Sequence, residues 1–495
     1  MLEAKKVKFW FAVGSQHLYG PEALEQVAAN AREIVGGLNE SGALGYELVL
    51  KPVLTTPEDI RRFMIEANAD DECAGVITWM HTFSPSKMWI GGLSVLKKPL
   101  LHFATQHNRD IPWDTIDMDF MNLNQAAHGD REHGHIHARL GVRRSVVFGH
   151  WQDPKAQERI GAWMRTAAAW AESRTLKVAR IGDNMRQVAV TEGDKVEAEA
   201  VFGWSVNTWG VGDVAARVNA VSEADVKRLL DEYAERYEIV ADTEEKREAI
   251  AYQARIELGL RAFLEEGGFS AFTTTFEDLH GLRQLPGLAV QRLMEDGYGF
   301  AGEGDWKTAA LVRLMKVMAG FKGTSFMEDY TYHLDPENEL VLGAHMLEIC
   351  PTIAAEKPRI EVHPLGIGGK EPPARMVFNA RAGAAINASI VDLGSRFRLL
   401  VNEVEAVPVE RPMPKLPVAR VLWRVLPNLR DGVESWILAG GAHHTGFSYH
   451  VTASQMADFA EMAGIESIII GEGTRPDALR RELALADLAW KLRSR

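Results

Sequence analysis

Hydrophobic and polar positions fall into two textures along this chain. Up to about residue 150, short apolar runs alternate with longer stretches whose apolar residues recur at helical spacing. The runs VKFWFAVGS, YELVLKPVL, AGVITWMH and PLLHFAT read as buried strands. ALEQVAANAREIVGGLNE and TPEDIRRFMIEANA read as helices, the second capped by Thr56 ahead of Pro57. This rhythm predicts a parallel sheet covered by helices on both faces. Ligands of such sheets bind at the C-terminal strand ends. Those ends carry Gln16, His17 and Tyr19, then His81, Thr82 and Phe83, then Gln106 and His107.

A second α/β unit begins near Thr175. Its strand LKVARIGDNM runs into Gly182, Asp183, Asn184 and Met185, a polar end suited to a cleft. FGWSVNTWGVGDV is a further strand, and EADVKRLLDEYAERY and EKREAIAYQARIELGLRAFLEEGG are helices. After about residue 325, strand-like alternation dominates: SFMEDYTYHL, ELVLGAHMLEI, RIEVHPL, ARMVFNA, AINASIVDLG, FRLLVNEVEAV, VARVLWRVL and SWILAGGAHH. Pro408, Pro412, Pro414 and Pro417 mark a rigid surface loop, and SIIIG near residue 470 reads as a buried strand. The pattern predicts two α/β domains, 1–175 and 176–325, followed by a β-rich, barrel-like domain at 326–495.

Composition narrows the class. Hydrophobic content of 46% and charged content of 25% are ordinary for a globular chain, and 495 residues exceed one core. A net charge of −13 argues against a general nucleic-acid binder, which needs a basic face. The two cysteines, Cys73 and Cys350, suit a reducing cytoplasm. The N-terminal apolar run is too short for a signal peptide, and no stretch approaches the roughly 20 apolar residues of a membrane helix. VGSQHLYG lacks the glycines of a nicotinamide fingerprint, HPLGIGGK precedes no helix, and P-loop, GxSxG and CxxC motifs are absent.

Candidate chemistry sits in four segments: Glu303 in FAGEGDW, Glu328 in TSFMEDYTYH, His345 in LVLGAHMLE, and His443–His444 in LAGGAHHTGF. Each alone has a bland alternative. Glu303, between two glycines and ahead of a helix capped by Asp305, could simply favour that helix's dipole. Glu328 shares a strand face with Tyr330 and Tyr332, opposite Asp329, Thr331 and His333, and could sit at an edge. His345, among apolar neighbours, could be a core histidine. His443 and His444 follow an apolar strand, so they point to opposite faces unless the chain bends there. Together, two carboxylates and two imidazoles form an O₂N₂ set that suits Mn²⁺ or Co²⁺ better than a structural zinc. A cation holding two adjacent oxygens of a hydroxy-carbonyl compound acidifies the C–H between them, and two carboxylates can then carry a proton across. That is aldose–ketose isomerisation. A second histidine-rich stretch, Asp117 to Gly141, carries His128, His133, His135 and His137. It reads as one helix leading into the next unit, with Gln125 and His128 on one face, and not as a metal site.

The segments FAVGSQHLYGPE, WMHTFSPSKMWI, HFATQHNRDIPW, NLNQAAHGDREHG, GFAGEGDWKTAAL, GTSFMEDYTYH, LVLGAHMLEICP, PKLPVARVLW and WILAGGAHHT span nearly the whole chain. They resemble the bacterial L-arabinose isomerase family. The resemblance implies two Rossmann-like α/β domains followed by a β-barrel domain. It implies a cytoplasmic homohexamer of two trimers with active sites between neighbouring subunits. It implies conversion of L-arabinose to L-ribulose, and of D-galactose to D-tagatose, with Mn²⁺ as cofactor and Co²⁺ or Mg²⁺ as substitutes. Carried over by motif, the metal ligands are Glu303, Glu328, His345 and His444. Glu303 and Glu328 form the proton-transfer pair through a cis-enediol, with His443 beside them as an active-site residue. The implied sugar contacts are Phe83, Gln125, His128, Met185 and Phe276, with Gln16, Leu18 and Tyr19 supplied by a neighbouring subunit. A related L-fucose isomerase is the nearest rival enzyme. A sugar-binding protein is the rival of another class, though it has no use for a metal set.

Overall fold

Five short strands build the first sheet of the computed structural model, which describes residues 1–493. They are β1 (Lys8–Gly14), β2 (Leu48–Leu50), β3 (Cys73–Met80), β4 (Leu100–Ala104) and β5 (Ser145–Phe148), ordered β2-β1-β3-β4-β5 and parallel throughout. All eight residues of β3 are buried, as an inner parallel strand covered on both faces requires. Thr56 caps its helix as expected, accepting from the Asp59 N–H at 3.1 Å. The run YELVLKPVL keeps only three residues in the regular ladder; beyond them the Lys51 N–H donates to the Phe11 carbonyl and the Leu54 N–H to the Val13 carbonyl, one residue out of step. The expected single helix over 117–141 is two. Asp117 caps Met118–Leu123, Gln125 is non-helical, and Ala126–Leu140 follows.

The second sheet holds β6 (Lys177–Ile181), β7 (Ser205–Trp209), β9 (Ala271–Thr274) and β10 (Gly299–Ala301), parallel in the order β10-β9-β6-β7; the two-residue β8 (Glu238–Ile239) lies outside it. After β10 the helix Trp306–Met318 is buried along its whole length, with Asp305 accepting from the Thr308 N–H at its start.

The third region contains β11 (Thr324–His333), β12 (Leu340–Ala344), β13 (Arg359–Val362), β14 (Ala374–Val377), β15 (Gly383–Asp392), β16 (Phe397–Val407), β17 (Arg420–Val425), β18 (His444–Ser448) and β19 (Glu466–Ile470). The order β15-β18-β11-β12-β17-β16, with β16 pairing back to β15, closes a six-stranded antiparallel barrel. Closure removes the open edges that a sheet of this length would otherwise expose. Met327, Val341, Val404, Trp423 and Phe447 pack in its core.

Three expectations for this region need correcting. RIEV and ARMV are strands but not barrel staves: β13 pairs with β8 and β14 in a separate three-stranded sheet. SWIL is not a strand. It ends the helix Leu429–Leu438, which Asn428 nucleates by accepting from the Asp431 N–H at 2.9 Å. β19 is not fully buried: it adds to β16 from outside the closed ring, and Ile469 remains exposed. Alternation and hydrophobicity identify an element more reliably than they identify its partner.

Two compact units emerge, Ala4–Ala171 with Glu461–Gly464, and Met1–Glu3 with Glu172–Ala460 and the chain from Ile465. No described helix is long and apolar enough to cross a membrane. Cys73 and Cys350 are both free and buried.

Candidate metal centre and active site

Glu303 lies in the turn between β10 and the buried helix, with a left-handed backbone (φ 60°) that non-glycine residues rarely adopt. Its surroundings hold it there. The Met185 N–H donates to the Glu303 carbonyl at 2.9 Å, and the Gly304 N–H donates to the Thr274 carbonyl at 3.1 Å. The flanking glycines are required by close approach. A Cβ on Gly302 would stand 3.0 Å from the His345 ring, and one on Gly304 would stand 2.5 Å from the Asn184 Cα. The strand end Gly182–Met185 therefore does more than face a cleft. Asn184 is buried and donates to the carbonyls of Thr191 and Gly304, pinning the turn.

Glu328 sits on β11 directly opposite His444 of β18 and Ala344 of β12. Residues opposite one another across an antiparallel pair share a face, so register brings the Glu328 and His444 side chains together. The expected alternation beyond Glu328 is interrupted. The β11–β12 register shifts between Asp329 and Thr331, so Tyr330 opens on the same cavity as Glu328 while Tyr332 opens on the one that takes Asp329. His345 is not in its strand; it is the first residue past β12. His443 precedes β18 in a bend, and this bend lets both members of the pair reach one carboxylate. His443 Nε2 lies 3.5 Å and His444 Nε2 3.8 Å from Glu303 Oε2.

Each metal-candidate histidine is anchored through its other nitrogen. His345 Nδ1 donates to Glu348 Oε2 at 2.5 Å, leaving Nε2 3.9 Å from Glu328 Oε2. His444 Nδ1 donates to Asp305 Oδ2 at 3.2 Å. His444 Nε2 is buried and finds no hydrogen-bond partner. An imidazole fixed by a carboxylate behind it, with an orphaned nitrogen aimed at further carboxylates, is how proteins orient a histidine toward a cation. Among the described residues, ligating atoms converge within 4.8 Å in just two sets: Glu303, His345 and His444; and Glu328, His443 and His444. The donor chemistry fits a divalent ion that accepts both oxygen and nitrogen.

Electrostatics follow from these contacts. Burial raises the Glu303 carboxyl, but the hydrogen bond from His443 and the charges of His444 and His345 outweigh it, holding the group below its ordinary range. Burial lowers His345, but Glu348, Glu328 and Glu303 leave it above its ordinary value. The hydrogen bond to Glu303 raises His443. Burial of Asp305 is outweighed by Lys307, His444 and Thr308, so its carboxyl lies far below the usual range. Burial pushes Asp329 up to about 7.

A cavity of about 200 Å³ opens on Glu303, Glu328 and His345, with Phe276, Tyr330 and Glu348 in its walls. Phe276 thus joins the set, and Met185 touches it through the Glu303 backbone. The remaining residues singled out from the sequence belong to the N-terminal unit. There Phe83 stacks on the exposed His128 with ring centroids 4.3 Å apart. The Gln125 N–H donates to the His81 carbonyl, and the Gln16 side chain donates to the Phe83 carbonyl. Leu18 is 82% exposed, and Tyr19 is half-buried. His81 and Thr82 are fully buried, with His81 Nε2 bonded to Asn30 and Thr82 to Ser15. Sequence reasoning missed Glu348 altogether and saw Asp305 only as a helix cap. The spacing His345-x-x-Glu348 was the available signal for the first. For Asp305, no local pattern points to His444.

Comparison with known proteins agrees across the chain. Models of the L-arabinose isomerase N-terminal, central and C-terminal domains match residues 3–175, 177–321 and 323–466. The L-arabinose isomerase of Geobacillus stearothermophilus is 66% identical over 494 residues, covering 99% of this chain and 100% of the relative. L-arabinose isomerase 1 of Bacillus licheniformis is 61% identical over 493 residues, covering 100% of both chains. The L-arabinose isomerase of Thermotoga neapolitana is 60% identical over 497 residues, also covering 100% of both.

Proposed function

The chain belongs to the L-arabinose isomerase family, and from that premise we propose that it converts L-arabinose to L-ribulose at the Glu303–Glu328–His345–His444 centre. The observation that carries the reading is the paired arrangement of anchored histidines, His345 on Glu348 and His444 on Asp305, turned toward Glu303 and Glu328. A divalent cation, Mn²⁺ with Co²⁺ or Mg²⁺ as substitutes, would be held by these four residues. Bound there it supplies Lewis acidity, polarising the sugar carbonyl and acidifying the neighbouring C–H.

The chain's own groups do the rest. Glu303 and Glu328 border one small cavity, and their closest approaches to the imidazoles all use Oε2, which leaves Oε1 of each for the proton. One carboxylate takes the proton from C2, a cis-enediol forms, and the pair returns a proton to C1. His443, with Nε2 3.5 Å from Glu303 Oε2, favours the ionised form of that carboxylate. Phe276 forms an apolar wall, and a cavity below the roughly 300–1,000 Å³ of drug-sized sites suits a monosaccharide. D-galactose, one carbon longer, is the expected slower substrate.

The resemblance extends the proposal. Gln16, Leu18, Tyr19, Phe83, Gln125 and His128 contact the sugar along with Met185 and Phe276, the first three from a neighbouring subunit of a cytoplasmic hexamer. The chain divides into domains at 1–175, 176–325 and 326–495, a division supported by the spans of the three domain matches.

The test is direct. Purified protein incubated with Mn²⁺ and L-arabinose should yield ketose, and chelation should abolish the yield. Conversion of L-fucose with none of arabinose would overturn the substrate. Deuterium at C2 should wash into solvent; its full retention in the product would replace the enediol by a hydride shift. Size-exclusion chromatography tests the hexamer.

A further inference from the structure

At the N-terminal edge of the first sheet lies a cavity of about 630 Å³. It opens at the opposite end of the strands from the loops that carry Gln16 and Phe83. Its basic lining comes from Lys97 and Lys98, just ahead of β4, and Arg143 and Arg144, just ahead of β5. β4 and β5 are adjacent and parallel, so the two basic pairs enter the sheet side by side.

None of the four forms an ion pair among the described residues; Lys98 donates to the Asp70 carbonyl and Arg144 to the Val142 carbonyl. Elsewhere in the chain a buried cation such as Arg292 meets Glu232, Glu257 and Glu295. Four uncompensated cations around one concavity raise its potential and attract an anion. Two donors in the wall also lack an acceptor: Arg144 Nε and the indole Nε1 of Trp163, whose side chain is fully buried. Arg143 is held by a close approach. Its guanidinium lies against Gly464, where a Cβ would come within 2.0 Å of a terminal nitrogen. Glu461 is the one acid among the lining residues, while Leu96, Leu140 and Met462 offer apolar surface.

We propose that this cavity binds a small phosphate monoester, its oxyanion on the Lys97–Arg144 cluster and its organic body against the apolar wall. The site uses no residue of the isomerase centre and does not depend on that reading.

Isothermal titration of the intact oligomer with glycerol 3-phosphate, inorganic phosphate and glycerol tests it, since none of these is an aldose. Saturable binding of glycerol 3-phosphate, none of glycerol, and weakening with added KCl are expected. Tighter binding of the ester than of inorganic phosphate assigns the site to organic phosphates. Equal binding assigns it to the phosphate group alone, which removes the role of the apolar wall and overturns the monoester. The double variant Lys97→Gln/Arg143→Gln, at two exposed positions, should keep full isomerase activity and lose affinity by about tenfold or more, as expected for charge-assisted contacts. No saturable heat, or binding unchanged in the double variant, would overturn the site.

Discussion

Two groups of histidines lie in this chain, and they behave oppositely. His345, His443 and His444 each face a carboxylate, on Glu348, Glu303 and Asp305 respectively. His102, His133 and His137 of the N-terminal unit crowd against one another, with ring centroids 4.0 Å apart for His133–His137 and 5.1 Å for His102–His133. Among the described residues, only His102 of the three engages an acid, Asp130 at 2.8 Å. His133 Nδ1 and both nitrogens of His137 are buried without partners. Burial, followed by the neighbouring imidazoles and Arg144, drives His133 well down and His137 to about 3. Residue type therefore predicts little. An imidazole becomes a ligand when a carboxylate fixes one nitrogen and space with further acids lies before the other. Sealed among rings, it becomes a neutral packing group.

The largest effect should separate the two groups outright. Glu303→Gln and Glu328→Gln keep the fold but remove proton transfer, so turnover should drop by about 10²–10⁴-fold or more. His137→Leu removes a ring that makes no hydrogen bond and should leave turnover at neutral pH unchanged. Steady-state kinetics with L-arabinose decides. Near-normal turnover in either glutamine variant with Mn²⁺ bound would sink the two-glutamate mechanism.

The anchors come next. Asp305→Asn and Glu348→Gln leave all four proposed ligands in place but release His444 and His345. Loss of such supporting carboxylates typically costs about 10–100-fold in metal affinity. Titrating Mn²⁺ against the melting temperature reads this directly, since a ligand at about 100 times its dissociation constant stabilises the native state by roughly 2.7 kcal/mol. An unchanged midpoint for Mn²⁺ would reduce both acids to packing roles.

A smaller effect concerns acid. The folded-state values of His133 and His137 lie below the unfolded value of about 6.5. In the window between, the unfolded chain binds more protons, so stability is complete above about pH 6.5 and declines as pH falls toward 3. His345 and His443, both raised, have the opposite sign: their contribution is present at low pH and fades as pH rises through their folded values. His137→Leu should narrow the gap between melting temperatures at pH 7 and pH 4.5. An equal gap in variant and parent would remove the cluster as a source of acid sensitivity.

Sequence carried the contrast only partly. Strand–helix rhythm exposed both parallel sheets, and strand alternation exposed the β-rich region, because those periods are local. What escaped were facts of pairing and closure. Nothing within RIEV says that it joins Glu238–Ile239 instead of the barrel. The helical start at Asn428 lies several residues ahead of the apolar SWIL, which taken without it resembles a strand. The five groups of the centre were individually visible, yet their convergence depends on the Glu328–His444 register and on the bend at His443. The histidine run at 128–137 carried no local sign of which rings would be buried.

His128 tests that last point, because it belongs to the sealed run by sequence and to neither group by environment. It is exposed, lies in the first turn of Ala126–Leu140 and stacks on Phe83. Stacking fixes the ring plane, and neither ring nitrogen is engaged among the described residues, so both remain open to a sugar hydroxyl. A positioned ring of this kind binds ground and transition states alike, which moves KM and leaves kcat nearly unchanged. With an aromatic pair worth about 0.5–1.5 kcal/mol, His128→Ala should raise the KM for L-arabinose by roughly 2–10-fold. His135→Ala, exposed on the same helix, supplies the control and should raise it not at all. If the two variants match, His128 is merely an exposed member of the packing run, and the sugar contacts assigned to this helix fall with it.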